Sequence, residues 1–177
     1  MVKETMHRLF LAFATLFLLA DVPKASVLSV DFSQRELALG DELQQVINSR
    51  RLQLGQTELE SLTNELEEAQ LIYSDAVLNE LLRSNACDHD YRDFSALQRL
   101  IATSPKPIDI ATPTSEVIAC PSPTRGWSPQ LEVELWQESP HHNHILFEEQ
   151  DHRYIGCAVK QASGRTAALC TLWSPNS

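Results

Sequence analysis

The sequence is poor in the residues that nucleotide-binding and zinc-binding motifs require. It has five glycines in 177 residues, and none of them belongs to a glycine-rich loop of the kind that cradles phosphates. None of its four cysteines forms a C-x-x-C pair, so the usual ligand spacing of a structural zinc site is missing. No serine, threonine or cysteine has a nucleophile motif around it. These absences argue against a nucleotide-dependent enzyme, a zinc-finger domain and covalent catalysis.

Positive charge is also scarce. The chain has 14 Lys and Arg residues against 24 Asp and Glu residues, which gives a formal net charge of −10. A surface with this balance repels nucleic-acid phosphates and anionic membranes. We therefore expect no nucleic-acid partner.

The first residues are typical of a secretory signal peptide. Lys3 and Arg8 precede an apolar run over residues 9–20, and small residues follow around Ala25. The run is shorter than the roughly 20 residues that a membrane-spanning helix needs. We expect residues 1–25 to be cleaved, leaving 26–177 as a single, slightly more acidic domain. The predicted location is secreted and extracellular, with no retained membrane span.

A β-hairpin is predicted near the C terminus. Two apolar runs, residues 154–162 and 165–173, flank a Ser-Gly dipeptide that is typical of a tight turn. In the register that this turn sets, Cys157 faces Cys170 at a non-hydrogen-bonded position, where Cα atoms are about 4.5 Å apart. That separation is within reach of a disulfide.

Two disulfides are expected in total. All four cysteines lie after the signal peptide, and export places them in an oxidising compartment. Because the hairpin uses Cys157 and Cys170, Cys87 and Cys120 pair by elimination.

Helical periodicity predicts three helices in the middle of the chain. The first begins at Asp41, with Gly40 as the preceding break, and the second covers about residues 57–84. The third begins at Ser128-Pro129, an N-cap followed by a proline, and its apolar residues are Leu131, Leu135 and Trp136. The three tryptophans are interpreted as core residues rather than as a ligand platform.

The remaining segments predict loops and strands. Residues 86–114 are polar and rich in proline towards their end, which favours a long surface loop. Residues 115–120 and 144–148 are predicted as strands, and residues 121–126 as a turn. The chain thus places its helices early and an antiparallel sheet late.

Four local patterns, taken together, resemble the CAP superfamily of cysteine-rich secretory, antigen-five and pathogenesis-related proteins. Residues 154–159, Y-I-G-C-A-V, followed by Gly164 and L-C-T-L-W-S-P at 169–175, are similar to the family's closing motif. Residues 47–51, 69–87 and 133–146 resemble three further family segments, in the family's order. The resemblance covers about residues 41–175 and is to a divergent member, nearest in style to secreted animal and parasitic-worm proteins.

The resemblance implies an α/β (α+β) fold, a CAP-like α-β-α sandwich with a central antiparallel sheet flanked by helices. It also implies a cleft of two histidines and two glutamates, which binds a divalent metal in some members. Carried over position by position, the cleft residues would be Glu116, His141, Glu138 and His89. The match is eroded, because Glu138 stands one residue early and His89 is out of step with the family spacing. His141 is selected because Ile145 stands four residues after it, whereas counting from Ser139-Pro140 selects His142.

The function predicted from these patterns is that of a secreted, non-enzymatic CAP-like protein without a cofactor. It would act outside the cell on a protein or on a small apolar, lipid-like or sterol-like ligand; the resemblance makes immune modulation or a secretion or venom role possible. The alternative is a metal-dependent enzyme or metal-regulated binder with zinc at His141 and His89, assisted by Glu116 and Glu138. Residues 141–144 can equally be an exposed polar corner. A third reading is an unrelated disulfide-stapled domain.

Overall fold

A four-stranded sheet forms the middle layer of the molecule and carries helices on both faces. The structure is a computed structural model that describes residues 30–87, 94–102 and 111–176. The predicted signal peptide, residues 1–25, lies outside the described residues. The elements, in chain order, are α1 Gln34–Gln53, β1 Glu60–Ser61, α2 Asn64–Ser84, α3 Phe94–Ala102, β2 Ala111–Pro123, α4 Pro129–Glu138, α5 Pro140–Asn143, a π-helical turn His144–Glu148, β3 Tyr154–Ala162 and β4 Arg165–Pro175.

The strand order is β1-β3-β4-β2. The pairs β3–β4 and β2–β4 are antiparallel, whereas the two residues of β1 pair in parallel with the start of β3. One core lies between the sheet and the helices α1 and α4. A second core lies between the opposite face and the helices α2 and α3. This arrangement confirms the predicted sandwich with helices on both faces, although the sheet is mixed rather than purely antiparallel.

The C-terminal hairpin has the predicted register. Ala162 pairs with Arg165 and Cys157 pairs with Cys170, and the two cysteines form a disulfide with a Cα–Cα distance of 4.1 Å. Both turn residues have positive φ angles, 52° at Ser163 and 74° at Gly164, which suits the right-handed twist of the two strands.

The second disulfide joins Cys87, just after α2, to Cys120 on β2, with a Cα–Cα distance of 5.1 Å. It ties the end of a helix to a strand at the edge of the described sheet. The pairing inferred by elimination is therefore present.

The predicted start of the first helix is wrong. The helix begins at Gln34, where Ser33 and Glu36 form a capping box, and Gly40 lies inside it. A Cβ atom at Gly40 would stand 2.7 Å from the carbonyl oxygen of Cys157 on β3. Gly40 is therefore a point of close helix–sheet contact and not a helix break.

The second helix also begins later than predicted, at Asn64 rather than near residue 57. Leu59 and Leu62 belong to the cores on opposite faces of the sheet. Residues three apart share one face in a helix but lie on opposite faces in a strand. The chain is therefore extended here and forms β1.

The strand predicted at 144–148 is wrong as well, because this segment is a π-helical turn following the short α5. Ile145, Leu146 and Phe147 are all buried, whereas a strand would turn the middle residue to the opposite face from its neighbours. The guanidinium of Arg51, at the end of α1, donates to the carbonyl oxygen of Leu146 and fixes the turn.

The loop predicted over 86–114 contains the helix α3, whose Leu97 is fully buried, and β2 already begins at Ala111. Residues 88–93 and 103–110 lie outside the described part. β2 also continues to Pro123, so the predicted turn shrinks to residues 124–126. The third helix begins at Pro129 with Ser128 as its N-cap, as predicted.

Candidate functional site

The sheet separates the residues that the family resemblance would place in one cleft. Glu116 is buried on the α2 face, where its Oε2 accepts a hydrogen bond of 2.9 Å from the hydroxyl of Tyr73. Glu138 and His141 are exposed where α4 meets α5, and α4 packs on the other face. His89 lies outside the described residues. Glu116 and His141 are thus not brought together.

No cluster of three or more His, Cys, Asp or Glu side chains with the geometry of a metal site occurs among the described residues. The histidines of residues 141–144 make local contacts instead. The Nδ1 of His144 lies 3.0 Å from Glu148, and the ring centroid of His142 lies 6.3 Å from that of Trp136. These residues form a helical corner in which His141 and His144 are exposed and His142 and Asn143 are half-buried.

A groove of about 570 Å³ lies beside this corner, between β2 and α4. Its walls are mainly apolar, and it opens to solvent along the outer side of α4. The groove is lined by residues that include Trp127, Leu131, Glu132, Leu135, Trp136, His142 and, at the rim, Arg125.

The helix α4 is held rigidly against the strand that forms the opposite wall. The Ser128 side chain accepts a hydrogen bond from the backbone N–H of Leu131 at the start of the helix. In the last turn of the helix, the indole of Trp136 donates to the carbonyl oxygen of Ile118 on β2, at 3.2 Å. The first contact caps the helix, and the second joins it to β2, so the two walls of the groove are linked by the protein itself.

The apolar residues of this helix do not all lie in the core. Val133 and Trp136 point into the core, whereas Leu131 and Leu135 remain 41% and 49% exposed and line the groove. The helix therefore has two apolar sides, and only one of them is covered by protein among the described residues.

One acidic side chain is embedded in the groove. Glu132 is 6% exposed, and its Oε2 accepts a hydrogen bond of 3.0 Å from the indole N–H of Trp127. Burial raises the pKa of Glu132, and the hydrogen bond from Trp127 opposes that rise. The groove thus combines an apolar lining with a single, largely desolvated carboxyl group.

A second cleft, of about 400 Å³, lies between α1 and α2 and is more polar. Asp41, Gln44, Ser61 and Glu67 are among the residues that line it. It offers scattered hydrogen-bonding groups rather than a continuous apolar wall, so it does not resemble a site for an apolar ligand.

A buried histidine lies near the π-helical turn. The Nδ1 of His152 is 3.1 Å from the hydroxyl of Thr114, and its Nε2 is 3.1 Å from a carboxylate oxygen of Glu149. Burial lowers the pKa of His152, Glu149 counteracts this, and the charge of Arg51 adds to the lowering. The arrangement is a structural contact between β2 and the segment leading into β3.

The groove residues were not among the candidates that the sequence suggested. A signal was present, because Leu131 and Leu135 recur at helical spacing on a different side from Val133 and Trp136. A helix with apolar residues on two sides must either be buried on both or leave one exposed. The exposed side is visible only once the fold is known.

The chain matches no protein-family model and no curated protein. A solved structure with a similar fold is an outer surface protein from Borrelia burgdorferi, with a TM-score of 0.56 at 16% sequence identity. The match covers 82% of this chain and 96% of that one. At this identity the likeness establishes the fold alone. Within the described residues, no helix has the length and apolar character needed to cross a bilayer.

Proposed function

We propose that this chain is a secreted, non-enzymatic binding protein, a divergent CAP-like domain that holds a small apolar ligand outside the cell. The observation that carries the proposal is the groove between β2 and α4. Its volume of about 570 Å³ lies in the range of about 300–1,000 Å³ that small-molecule sites occupy. Like those sites, it has apolar walls and few polar groups.

The exposed leucines favour an apolar occupant. Leu131 and Leu135 stand one helical turn apart and present their side chains along the groove. Covering one such side chain contributes about 1.5–3 kcal/mol if it is fully removed from water. Because the wall is already fixed by the Trp136–Ile118 hydrogen bond, little ordering cost opposes binding.

Secretion is supported by the signal-like N-terminal residues and by two disulfides with no free cysteine among the described residues. The name of the structural neighbour, an outer surface protein, agrees with a role outside the cytoplasm. The sandwich fold is what the CAP resemblance implied, and the hairpin disulfide, predicted from the turn register, joins the two strands that carry the closing motif; both are compatible with the proposal.

A binding role is favoured over the metal-dependent alternative because the cleft residues are dispersed. A general acid/base pair or a metal site needs convergent groups, and Glu116 is enclosed on the α2 face beside Tyr73. The exposed His141 lies beyond the opposite face of the sheet.

Titration with N-phenyl-1-naphthylamine, a neutral apolar fluorophore, tests the proposal on the secreted form of the full chain. We expect saturable binding of one dye per chain and an affinity loss of about tenfold or more in Leu135→Asp, since a charge replaces an apolar contact. The control is Leu52→Asp, which alters a leucine that is 54% exposed on α1, away from the groove. Absence of saturable binding, or equal losses in both variants, would overturn the proposal.

A further inference from the structure

We infer that the groove between β2 and α4 selects a cationic amphiphile, a ligand with an apolar body and a protonated amine that donates to Glu132. The inference rests on the proposed function and goes further, because it assigns the ligand's head group. It concerns a residue that the sequence patterns did not single out.

The buried carboxylate of Glu132 is only partly paired by protein groups. Glu132 is 6% exposed and lines the groove, and its Oε2 is occupied by the indole N–H of Trp127. Among the described residues, the hydrogen bond of Glu132 is at Oε2, and its Oε1 is open to the groove rather than enclosed. A buried carboxylate has room for several hydrogen bonds, so one acceptor remains for a group that enters the groove.

The carboxylate of Glu132 has no cationic partner among the described residues. No Lys, Arg or His among the described residues forms an ion pair with Glu132, and Arg125 lies exposed at the rim of the same groove. Burial raises the pKa of Glu132, and no cation counteracts the rise. A buried carboxylate without a cation is costly, so a ligand that supplies the cation is favoured over one that does not.

The negative net charge of the chain also favours a cationic ligand. The chain carries a net charge of −10, and a field of this sign draws cations towards the surface and repels anions. An anionic head group would have to overcome this field and face Glu132, even though Arg125 and the ring of His142 also line the groove. A neutral alcohol could donate to Oε1 but would leave the negative charge uncompensated.

A structural role accounts for only part of the arrangement. An acid in the first turn of α4 interacts favourably with the helix dipole, and Glu132 occupies that turn. The exposed Glu134 on the same helix has a similar charge but is not buried. What distinguishes Glu132 is that its carboxylate lies between Trp127 and an apolar groove.

Three ligands with the same ten-carbon chain separate the possibilities: decylammonium, decanol and decanoate. Each is titrated below its micelle concentration against the secreted form of the full chain with N-phenyl-1-naphthylamine bound, and displacement of the dye is measured. We expect decylammonium to bind about tenfold more tightly than decanol, as a charge-assisted hydrogen bond adds to the same apolar contact. Decanoate should bind most weakly.

The variant Glu132→Gln should remove the preference for decylammonium, so that the ammonium and the alcohol displace the dye at similar concentrations. The matched control, Glu134→Gln, removes the same charge from the exposed side of the helix and should leave the preference intact. If Glu132→Gln does not fold, the ranking of the three ligands on the unaltered protein still decides the question.

The outcomes distinguish the two proposals. If the dye binds but the three ligands displace it equally, or if both glutamine variants weaken decylammonium equally, the head-group inference is overturned and the apolar groove stands. If neither the dye nor any ligand binds, the proposed function fails. A preference for decylammonium that Glu132→Gln alone abolishes supports both.

Discussion

On the α2 face of the sheet, buried polar side chains pair with one another, whereas on the α4 face the contacts between helix and sheet are mainly apolar and a groove remains open. On the first face, Tyr73 donates to Glu116, and Lys160 forms an ion pair with Asp75. The amide of Gln70 donates to the carbonyl oxygen of Gly156. On the second face, Val133 and Trp136 form the contact between α4 and the sheet.

The difference suggests a division of roles. Hydrogen bonds and ion pairs demand one geometry, so the polar contacts fix the position of α2 on β2 and β3. On the α4 face the packing is mainly apolar, with the Trp136–Ile118 hydrogen bond as a polar contact between helix and strand, and the outer side of the helix is left free to contact a ligand. The α2 face is therefore expected to be sensitive to substitution and the groove wall tolerant.

The largest effect is expected from Lys160→Met. Lys160 is 7% exposed, and besides its ion pair with Asp75 it donates to the carbonyl oxygen of Asp31 and lies 4.8 Å from the ring centroid of Phe32. Removing the cation leaves a largely buried carboxylate behind, which costs about 3–5 kcal/mol. The free energy of unfolding in urea measures the loss.

Arg153→Met is the control for this variant. The ion pair between Arg153 and Glu60 is more than half exposed on both sides, so its loss should leave the free energy of unfolding unchanged within error. Equal effects of the two substitutions would mean that the α2 face does not depend on its buried pair.

A smaller loss is expected from Tyr73→Phe. Tyr73 is 4% exposed, and its hydroxyl donates to the carboxylate of Glu116. A hydrogen bond to a charged group contributes about 1.5–3 kcal/mol, and urea unfolding should show a loss of that size. A double-mutant cycle with Glu116→Gln isolates the pair, and strictly additive effects would contradict a direct coupling.

The third expected effect is on the pH dependence of stability. Burial lowers the native pKa of His152 below its ordinary value of 6.5, so between these two values the unfolded chain binds more protons than the folded one. Stability is therefore complete above about pH 6.5 and falls as the pH drops through that window. His152→Gln should remove this component of the acid sensitivity, measured as the midpoint of thermal unfolding from pH 7.5 to 4.5.

His144→Gln provides the matched control for the pH series. His144 carries the same imidazole as His152, but its side chain is 60% exposed. An acid sensitivity that changes as much in this control as in His152→Gln would show that the buried histidine is not its source.

The smallest effect is expected from Leu135→Ala in the groove. Half of this side chain is already exposed, so its truncation should change the free energy of unfolding by no more than about 0.5 kcal/mol. Leu81→Ala on α2, at a site with no exposure, should cost about 2–5 kcal/mol. Comparable losses at the two sites would abolish the distinction between the faces.

The elements that the sequence predicted well are those whose signal is local. The hairpin is specified by its turn and its two cysteines, and the start of α4 by the N-cap Ser128 and by Pro129. The position of Gly40 inside α1 could not be foreseen, because it depends on the distance to the Cys157 carbonyl on another element.

The remaining differences have the same origin in long-range contacts. β1 exists because Glu60 lies beside Tyr154, a residue far along the chain. The apolar triplet at residues 145–147 has no periodicity that distinguishes a strand from a helical turn. For the candidate site, Leu131 and Leu135 were recognised as apolar, but only the fold shows that nothing described covers them.

The edges of the sheet bear on aggregation. At one edge of the described sheet, β2 contains Pro113, Pro121 and Pro123 and has register shifts near both ends. Proline has no N–H to offer a neighbouring strand, and irregular strands pair poorly. At the other edge, β1 pairs only with Tyr154 and Ile155, and further along β3 the side chains of Gln70 and Glu36 bond the Gly156 carbonyl oxygen and the Gln161 N–H. A chain released at high local concentration would therefore offer few sites for strand-to-strand association with its own copies.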